Sequence, residues 1–368
     1  MAFSGLSTPP HTPDIPGVQG PQGKARVILR QRDLRDIASR VLGGVGYCLD
    51  CGLCLLPGTE GAVQVPHVVT VYFHGVLDEP VDGFLDPQEG MNPAFLREFI
   101  RLMKAAGYTF VTPDAMLNPN TPRGNLVILS SDDGYHSVQR LLPILEEQAV
   151  PLTVFLTTEY SRRDGIYWWD QIYAAGYSRS RTKSLLKHDV RSRAERDEAL
   201  RHLGIDPDAT AFRESHRLLS PEDVGRLAKH PRLSFGNHTR NHLSLPLLED
   251  GRVQEEVEAA RQDIEAWTGK IVRHFAFPYG DYDERTLHIL QRCGFRTAFT
   301  TEPGHFLLPS EPPGTLGIPR YRLRADRSAK WQTRIMTKGI TLGSKVEAGL
   351  RNWMRGILGL QRGVQGKK

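Results

Sequence analysis

Leu126-Val127-Ile128-Leu129 runs without a break into Ser130-Ser131-Asp132-Asp133-Gly134. Four apolar residues of this kind predict a short strand, and the Asp-Asp-Gly that follows predicts the turn leaving it. The same alternation extends on both sides. Upstream lie the β-branched run Val68–Phe73 and a helical pattern over Asn92–Ala106, with Phe95, Phe99 and Met103 on one face. Downstream come a helix over His136–Ala149 and a strand at Leu152–Leu156. After Ser220 as N-cap, with Asp223 at the third position of its helix, come the strand Leu233–Phe235 and a long helix over Leu248–Trp267. The strand His274–Phe277, the helix Glu284–Cys293 and the strand Thr297–Thr300 complete the series. Strands alternating with helices predict a parallel sheet or barrel. Ser178–His216 interrupts the series with Arg-rich sequence in which Leu185, Leu186, Leu200 and Leu203 hint at short helices, and it reads as a surface excursion.

Parallel α/β folds place their chemistry at the C-terminal ends of strands, and three polar segments sit there. In Asp132-Asp133 the turn can aim one carboxylate at a metal and the other at a water. In Gly236-Asn237-His238-Thr239-Arg240-Asn241-His242, two imidazoles four apart would share one side of a helical turn, a spacing suited to zinc or a similar divalent ion. Two histidines and a carboxylate leave coordination positions open, the pattern of a catalytic metal rather than a structural one. The third segment is Phe275-Ala276-Phe277-Pro278-Tyr279-Gly280-Asp281, apolar strand residues running into a Pro-Tyr-Gly turn.

In this order and spacing the three segments resemble the polysaccharide deacetylases with the NodB homology domain, carbohydrate esterase family 4. Ser130–Gly134 matches the family's Thr-Phe-Asp-Asp-Gly, His238–His242 its His-Ser/Thr-x-x-x-His, and Phe275–Gly280 a variant of its Phe-Ala-Tyr-Pro-Tyr-Gly motif. Supporting likeness runs from Tyr72-Phe73-His74-Gly75-Val76 through Tyr167-Trp168-Trp169-Asp170 to Ile318-Pro319-Arg320. The resemblance implies an α/β fold, a distorted or incomplete (β/α) barrel, to which the apolar spacing at both ends of the chain adds helical extensions. It implies that Asp133, His238 and His242 hold a divalent metal, Zn2+ as first choice. Asp132 is then the general base for water attacking an acetyl carbonyl, and the Tyr279 backbone N–H steadies the oxyanion. The implied activity is metal-dependent removal of acetyl groups from N-acetylated sugars in bacterial surface polysaccharide or glycoconjugate metabolism. O-acetyl ester cleavage by the same site and a non-catalytic carbohydrate-binding relative are the alternatives.

The sequence also departs from the family pattern. Ser130 and Ser131 replace Thr and Phe, and Ala276 stands where many members carry an arginine that positions the base; Arg320 is a candidate substitute on its position near the last strand alone. The usual late Leu-x-His is missing, leaving His74 and His305 as stand-ins for the acid. Trp168, Trp169 and Tyr279 are candidates for sugar-stacking walls, against a core role for the Trp pair.

Of 368 residues, 39% are hydrophobic and 24% charged, which argues against a disordered or fibrous chain. Gly61–Leu77 lacks charge but falls short of the roughly 20 apolar residues a bilayer span needs. From Arg320 onward thirteen Lys and Arg face two acids, so a basic end of +11 follows a body of −6 within the net +5. That charge says little about the body's substrate, for which no nucleic acid is expected, and suits contact of the end with an anionic membrane or another polyanion. Three segments are expected: 1–64 as a flexible leader with an amphipathic helix over Asp33–Leu49, 65–325 as the catalytic domain, and 326–368 as a basic amphipathic tail. Cys48, Cys51 and Cys54 have no partner pair nearby and read as small apolar residues on a helix face. With too few cysteines for a disulfide framework and no secretory signal pattern, the expected location is cytoplasmic, peripheral to the inner face of the membrane if the tail binds there.

Overall fold

The computed structural model describes residues 66–77, 90–121, 124–163, 165–176, 190–208, 216–307, 315–324 and 327–338. The expected leader, its helix, the Cys48-Cys51-Cys54 run and the tail beyond 338 lie outside them. Strand β1 (His67–Phe73) is buried along its whole length. It pairs in parallel with β2 (Leu126–Ser131), then β3 (Leu152–Leu156), β4 (Leu233–Asn237), β5 (His274–Ala276), β6 (Thr297–Phe299) and β8 (Thr315–Ile318), while β7 (His305–Leu307) runs antiparallel on the other side of β1. Strands covered on both faces need apolar residues at every position, which is why Val68–Phe73 and Leu126–Leu129 read as continuous runs rather than alternating ones.

The sheet is nearly closed into a barrel. β8 pairs with β6 at one edge, and after only Pro319 and Arg320 the chain enters β9 (Tyr321–Arg322), which pairs in parallel with β1. Leu323 N–H donates to Tyr72 O at 2.8 Å, and Thr70 Oγ1 donates to Pro319 O across the same seam. Arg320 therefore stands where the two edges meet.

Helices cover the outside: α1 (Pro93–Ala105), α2 (Leu142–Glu147), α3 (Thr158–Arg163), α4 (Trp168–Ala174), α5 (Arg193–His202), α6 (Pro221–Leu227), α7 (Asp250–Thr268), α8 (Glu284–Arg292) and α9 (Ala329–Lys338). Ser220 caps α6 in a full capping box with Asp223, as its sequence spacing predicts. The helix expected over His136–Ala149 starts as a 3-10 turn over His136–Leu141 before becoming α2. The excursion after Ser178 contains α5, with Arg196 and Leu200 on its buried side. α9 falls in the segment expected to be a basic tail, yet it packs on α1 with Met336 only 2% exposed. Met336 thus joins the core instead of a membrane-facing stripe. Among the described residues no helix is long and apolar enough to cross a membrane.

Candidate metal centre and active site

The site forms where β1, β2, β4 and β5 end. After β2 the chain turns sharply, with Asp133 at φ 74° and Gly134 at φ 72°. A Cβ at Gly134 would meet Leu156 Cδ2 at 2.7 Å in a region L side chains rarely adopt, so glycine is required there. The two serines that depart from the family pattern lace this turn to β1. Ser130 Oγ donates to Val71 O at 2.9 Å and Ser131 Oγ to His74 O at 2.7 Å, so the hydroxyls tie His74 to the Asp132-Asp133 turn.

His238 and His242 are not on a helical turn as their spacing suggests. They sit in an irregular loop after β4 that places Thr239 at φ 67° and His242 at φ 55°. Non-glycine residues in this region carry strain of about 1–3 kcal/mol each, which surrounding contacts must hold in place. Asn237 Oδ1 accepts from Thr239 N–H at 2.8 Å, and Thr239 Oγ1 accepts from His242 N–H at 3.0 Å.

The result is a convergence of three ligand atoms. Asp133 Oδ1 lies 3.4 Å from His238 Nε2 and 3.2 Å from His242 Nε2, and the three buried side chains offer atoms within 4.8 Å of one another. Asp133 Oδ1 makes no hydrogen bond of acceptable angle. A buried carboxylate oxygen facing two imidazole nitrogens without hydrogen-bond geometry is the donor arrangement a divalent ion requires, so the residues fit one. Burial alone would raise the Asp133 carboxyl; the imidazoles of His238, His242 and His74 overcome this and hold it far below the usual carboxylate range. His238 is further oriented by Nδ1 against Ala276 O at 2.7 Å, whereas His242 Nδ1 is buried with no hydrogen-bond partner.

Asp132 has a different partner. Arg320, fully buried, grips it with two parallel hydrogen bonds, Nη1 to Oδ1 at 2.8 Å and Nη2 to Oδ2 at 2.7 Å. Arg320 also donates to Ser130 Oγ and Thr300 O, and its guanidinium lies 4.5 Å from the centre of the Tyr72 ring. Burial would push the Asp132 carboxyl up, but Arg320 and then His238 bring it below its ordinary value. The chain end that closes the barrel thus delivers an arginine where the third motif lacks one.

His74, half-buried, brings Nε2 to 3.9 Å from Asp133 Oδ2. His305, the other stand-in for an acid, is at the opposite end of the barrel: it pairs with Val69 near the start of β1 and bonds Met336 O. It is excluded as a site residue because strand direction carries it away from the mouth. Trp168 is 4% exposed and its indole N–H bonds Tyr279 OH at 3.3 Å, so neither it nor the inward-turned Tyr279 phenol offers a free stacking face. Tyr279 OH in turn donates to His242 O at 3.2 Å, and Tyr279 itself holds φ at 60°. Trp169 remains half-buried, stacked on Tyr167 at 4.2 Å and edge-on to His242 at 4.9 Å.

Several partners of the site escaped the sequence reading. Tyr167 OH donates to Asp133 O at 2.8 Å; Tyr135 OH donates to Asp170 at 2.9 Å and receives the Trp169 indole N–H at 3.2 Å. Glu256 and Arg196 reach Asn241, next to His242. Glu256 carried a readable signal: it falls inside the apolar stripe Val253, Val257, Ala260, Ile264, where a charge calls for a buried partner.

The chitooligosaccharide deacetylase of Azorhizobium caulinodans is 26% identical over 146 residues, covering 33% of this chain and 70% of that protein. In structure, a polysaccharide deacetylase from Bacillus cereus superposes with a TM-score of 0.53 at 17% identity, over 73% of this chain and 69% of that one. A Streptococcus pyogenes deacetylase solved in complex with acetate gives 0.51 at 18% identity, over 76% and 99%. The mixed α/β fold with its nearly closed sheet is the one these structures share. Residues 119–298, the span holding Asp132, Asp133, His238 and His242, match the polysaccharide deacetylase family.

Proposed function

We propose that the chain is a metal-dependent carbohydrate deacetylase that hydrolyses the acetamido group of N-acetylated sugars in surface polysaccharide or glycoconjugate metabolism. The observation that carries this is the pairing of two neighbouring carboxylates with opposite surroundings: Asp133 between two imidazoles, Asp132 gripped by Arg320. Asp133, His238 and His242 would hold the ion, and two nitrogens with one oxygen favour zinc. When bound, such an ion supplies Lewis acidity toward the acetyl carbonyl and acidifies water. Asp132, kept ionised by Arg320, accepts the proton of the attacking water through a lone pair the guanidinium leaves open. The Tyr279 backbone N–H donates to the developing oxyanion, and His74 delivers a proton to the departing amine. Acetate and a free amino sugar result. Trp169, the half-buried member of the aromatic set, would meet the sugar.

The test is acetate release from a panel of N-acetylated and O-acetylated sugars, with and without added zinc, alongside metal content by elemental analysis. The expected outcome is one ion per chain, lost in His238→Ala and His242→Ala, and acetate from N-acetylated members only when the ion is present. Release from O-acetyl esters alone would reassign the chemistry. An ion-loaded chain that binds sugars and releases nothing would leave a carbohydrate-binding protein. The basic stretch beyond Lys338 is proposed to contact anionic membrane at its inner face, tested by liposome co-sedimentation of a chain truncated after Lys338, which spares α9.

A further inference from the structure

His242 lacks what His238 has. Ligating histidines ordinarily donate their second ring N–H to a carbonyl or carboxylate, which sets the ring's direction. His238 meets Ala276 O in this way, but His242 Nδ1 is buried without a partner. With no bond at that nitrogen, its ring is aimed by the rings of Tyr167, Trp169 and Tyr279 around it and by its backbone, which sits at φ 55°, a conformation that relaxes unless it is held. Tyr279 OH secures the carbonyl of His242 and Thr239 Oγ1 its N–H. The preceding residue, Asn241, is held from two further directions.

From α7, Glu256 accepts the Asn241 backbone N–H at 2.8 Å and its side-chain amide at 2.7 Å. From α5, Arg196 donates through Nη1 to Asn241 O at 3.0 Å, with its guanidinium 5.1 Å from the Tyr160 ring centre and Nε 3.6 Å from Asp197. Both are buried, Glu256 at 1% and Arg196 at 4% exposure. Every polar group of Asn241 named here faces an ionic partner, and such charge-assisted bonds are about twice as strong as neutral ones. α5 has little else to bury besides Leu200, so a buried arginine on it is more than a surface ornament.

We infer that Arg196 and Glu256 are positioning residues that clamp Asn241 and so aim His242 at the divalent ion, which makes the Arg-rich excursion containing α5 a working part of the metal centre. This rests on the metal reading above. Zinc affinity of the full chain, measured by competition with a chromogenic chelator, tests it without recourse to turnover. Arg196→Met and Glu256→Gln are expected to weaken zinc binding 10–100-fold, the range typical of partners one shell out from a ligand. Arg196→Lys should recover at least part of the loss, since one N–H to Asn241 O is what the clamp requires. Arg201→Met, on the exposed side of the same helix, should bind like the wild type. The d–d spectrum of the Co2+-loaded chain should change in Arg196→Met and return toward wild type in Arg196→Lys, which general destabilisation would not produce. Wild-type affinity in both Arg196→Met and Glu256→Gln would overturn the inference, as would an equal loss in Arg201→Met. Should Arg196→Met fail to fold, Glu256→Gln and Arg196→Lys carry the comparison. A wild-type chain that takes up no ion would overturn the metal reading itself, a result distinct from an ion bound equally by all variants.

Discussion

Two groups of histidines lie at opposite ends of β1, and they are built on different terms. At the start of the strand, buried His67 shares a 2.7 Å hydrogen bond with Tyr108 OH and packs its ring 4.6 Å from His305, which donates to Met336 O at 2.6 Å and so fastens α9. These partners are neutral, and the backbone there is relaxed. At the mouth, His238 and His242 converge on a carboxylate, polar atoms are left without hydrogen bonds, and Asp133, Thr239, His242 and Tyr279 all hold positive φ. Each end brings two histidine rings within 5 Å of one another. What distinguishes the mouth is unmet donor capacity held by strained backbone, which persists only where the surrounding structure enforces it.

The largest effect expected of this contrast is at Asp132. Asp132→Asn should cut acetate release by about 100-fold or more while leaving the bound ion in place, because a positioned base contributes at least that much and the ligands are on its neighbour. Acetate assays on protein of measured metal content check this, and near-normal turnover would return Asp132 to a purely structural role beside Arg320. Substituting His67 by Gln at the other end should alter neither turnover nor metal content, and a large effect there would break the contrast.

Arg320→Met ranks next. It strands the Asp132 carboxylate in a dry interior, and removing one partner of such a pair costs about 3–5 kcal/mol, visible as a lower urea midpoint. In the fraction that folds, loss of the positive charge lets burial raise the Asp132 carboxyl, so the acid limb of the pH–rate profile should move to higher pH. An unmoved limb would show that Arg320 does not set the ionisation of Asp132.

How much of this could be read from the chain follows from how local each signal is. Val68–Phe73 and Leu126–Leu129 gave away buried strands because a sheet covered on both faces writes its burial into consecutive residues. Asp132-Asp133 and His238/His242 were legible as chemistry because each set is short and contiguous. The conformation of the histidine loop was not: its i, i+4 spacing suggested a helical turn, whereas Thr239 and His242 at positive φ depend on Asn237 and on contacts from α7 that no local pattern records. His305 was misplaced for the same reason, since only the antiparallel pairing of β7 with β1 shows which end of the barrel it occupies. Arg320 was chosen on its place near the last strand. Its grip on Asp132 depends on a closure that brings together residues 188 apart.

The smallest expected effect belongs to the base of the barrel and concerns pH. Burial holds the His305 imidazole below its usual value, and the adjacent His67 ring adds to this; the bond to Met336 O opposes it. Among the described residues, Tyr108, through His67, and Tyr321, 5.7 Å away, are titratable groups that face this pair, and burial pushes both phenols up to about 12, so neither carries charge near neutrality. Between the depressed folded value and the unfolded value of about 6.5, the unfolded chain binds more protons at residue 305 than the folded one. Stability from this residue is therefore complete above about pH 6.5 and declines as the pH falls through that value toward the folded one. Thermal unfolding at pH 7.5 and pH 5.5 should show a drop of a few degrees at most, because about 1 kcal/mol moves Tm by roughly 2–4 °C in a domain of this size. His305→Gln keeps an N–H for Met336 O but cannot titrate, so its Tm should fall less between the two pH values, with turnover per bound ion unchanged. An identical drop in the variant would mean that the acid sensitivity arises elsewhere. A change in turnover would mean that the two ends of β1 are coupled, and the distinction between a satisfied cluster and an enforced one would then have to be redrawn.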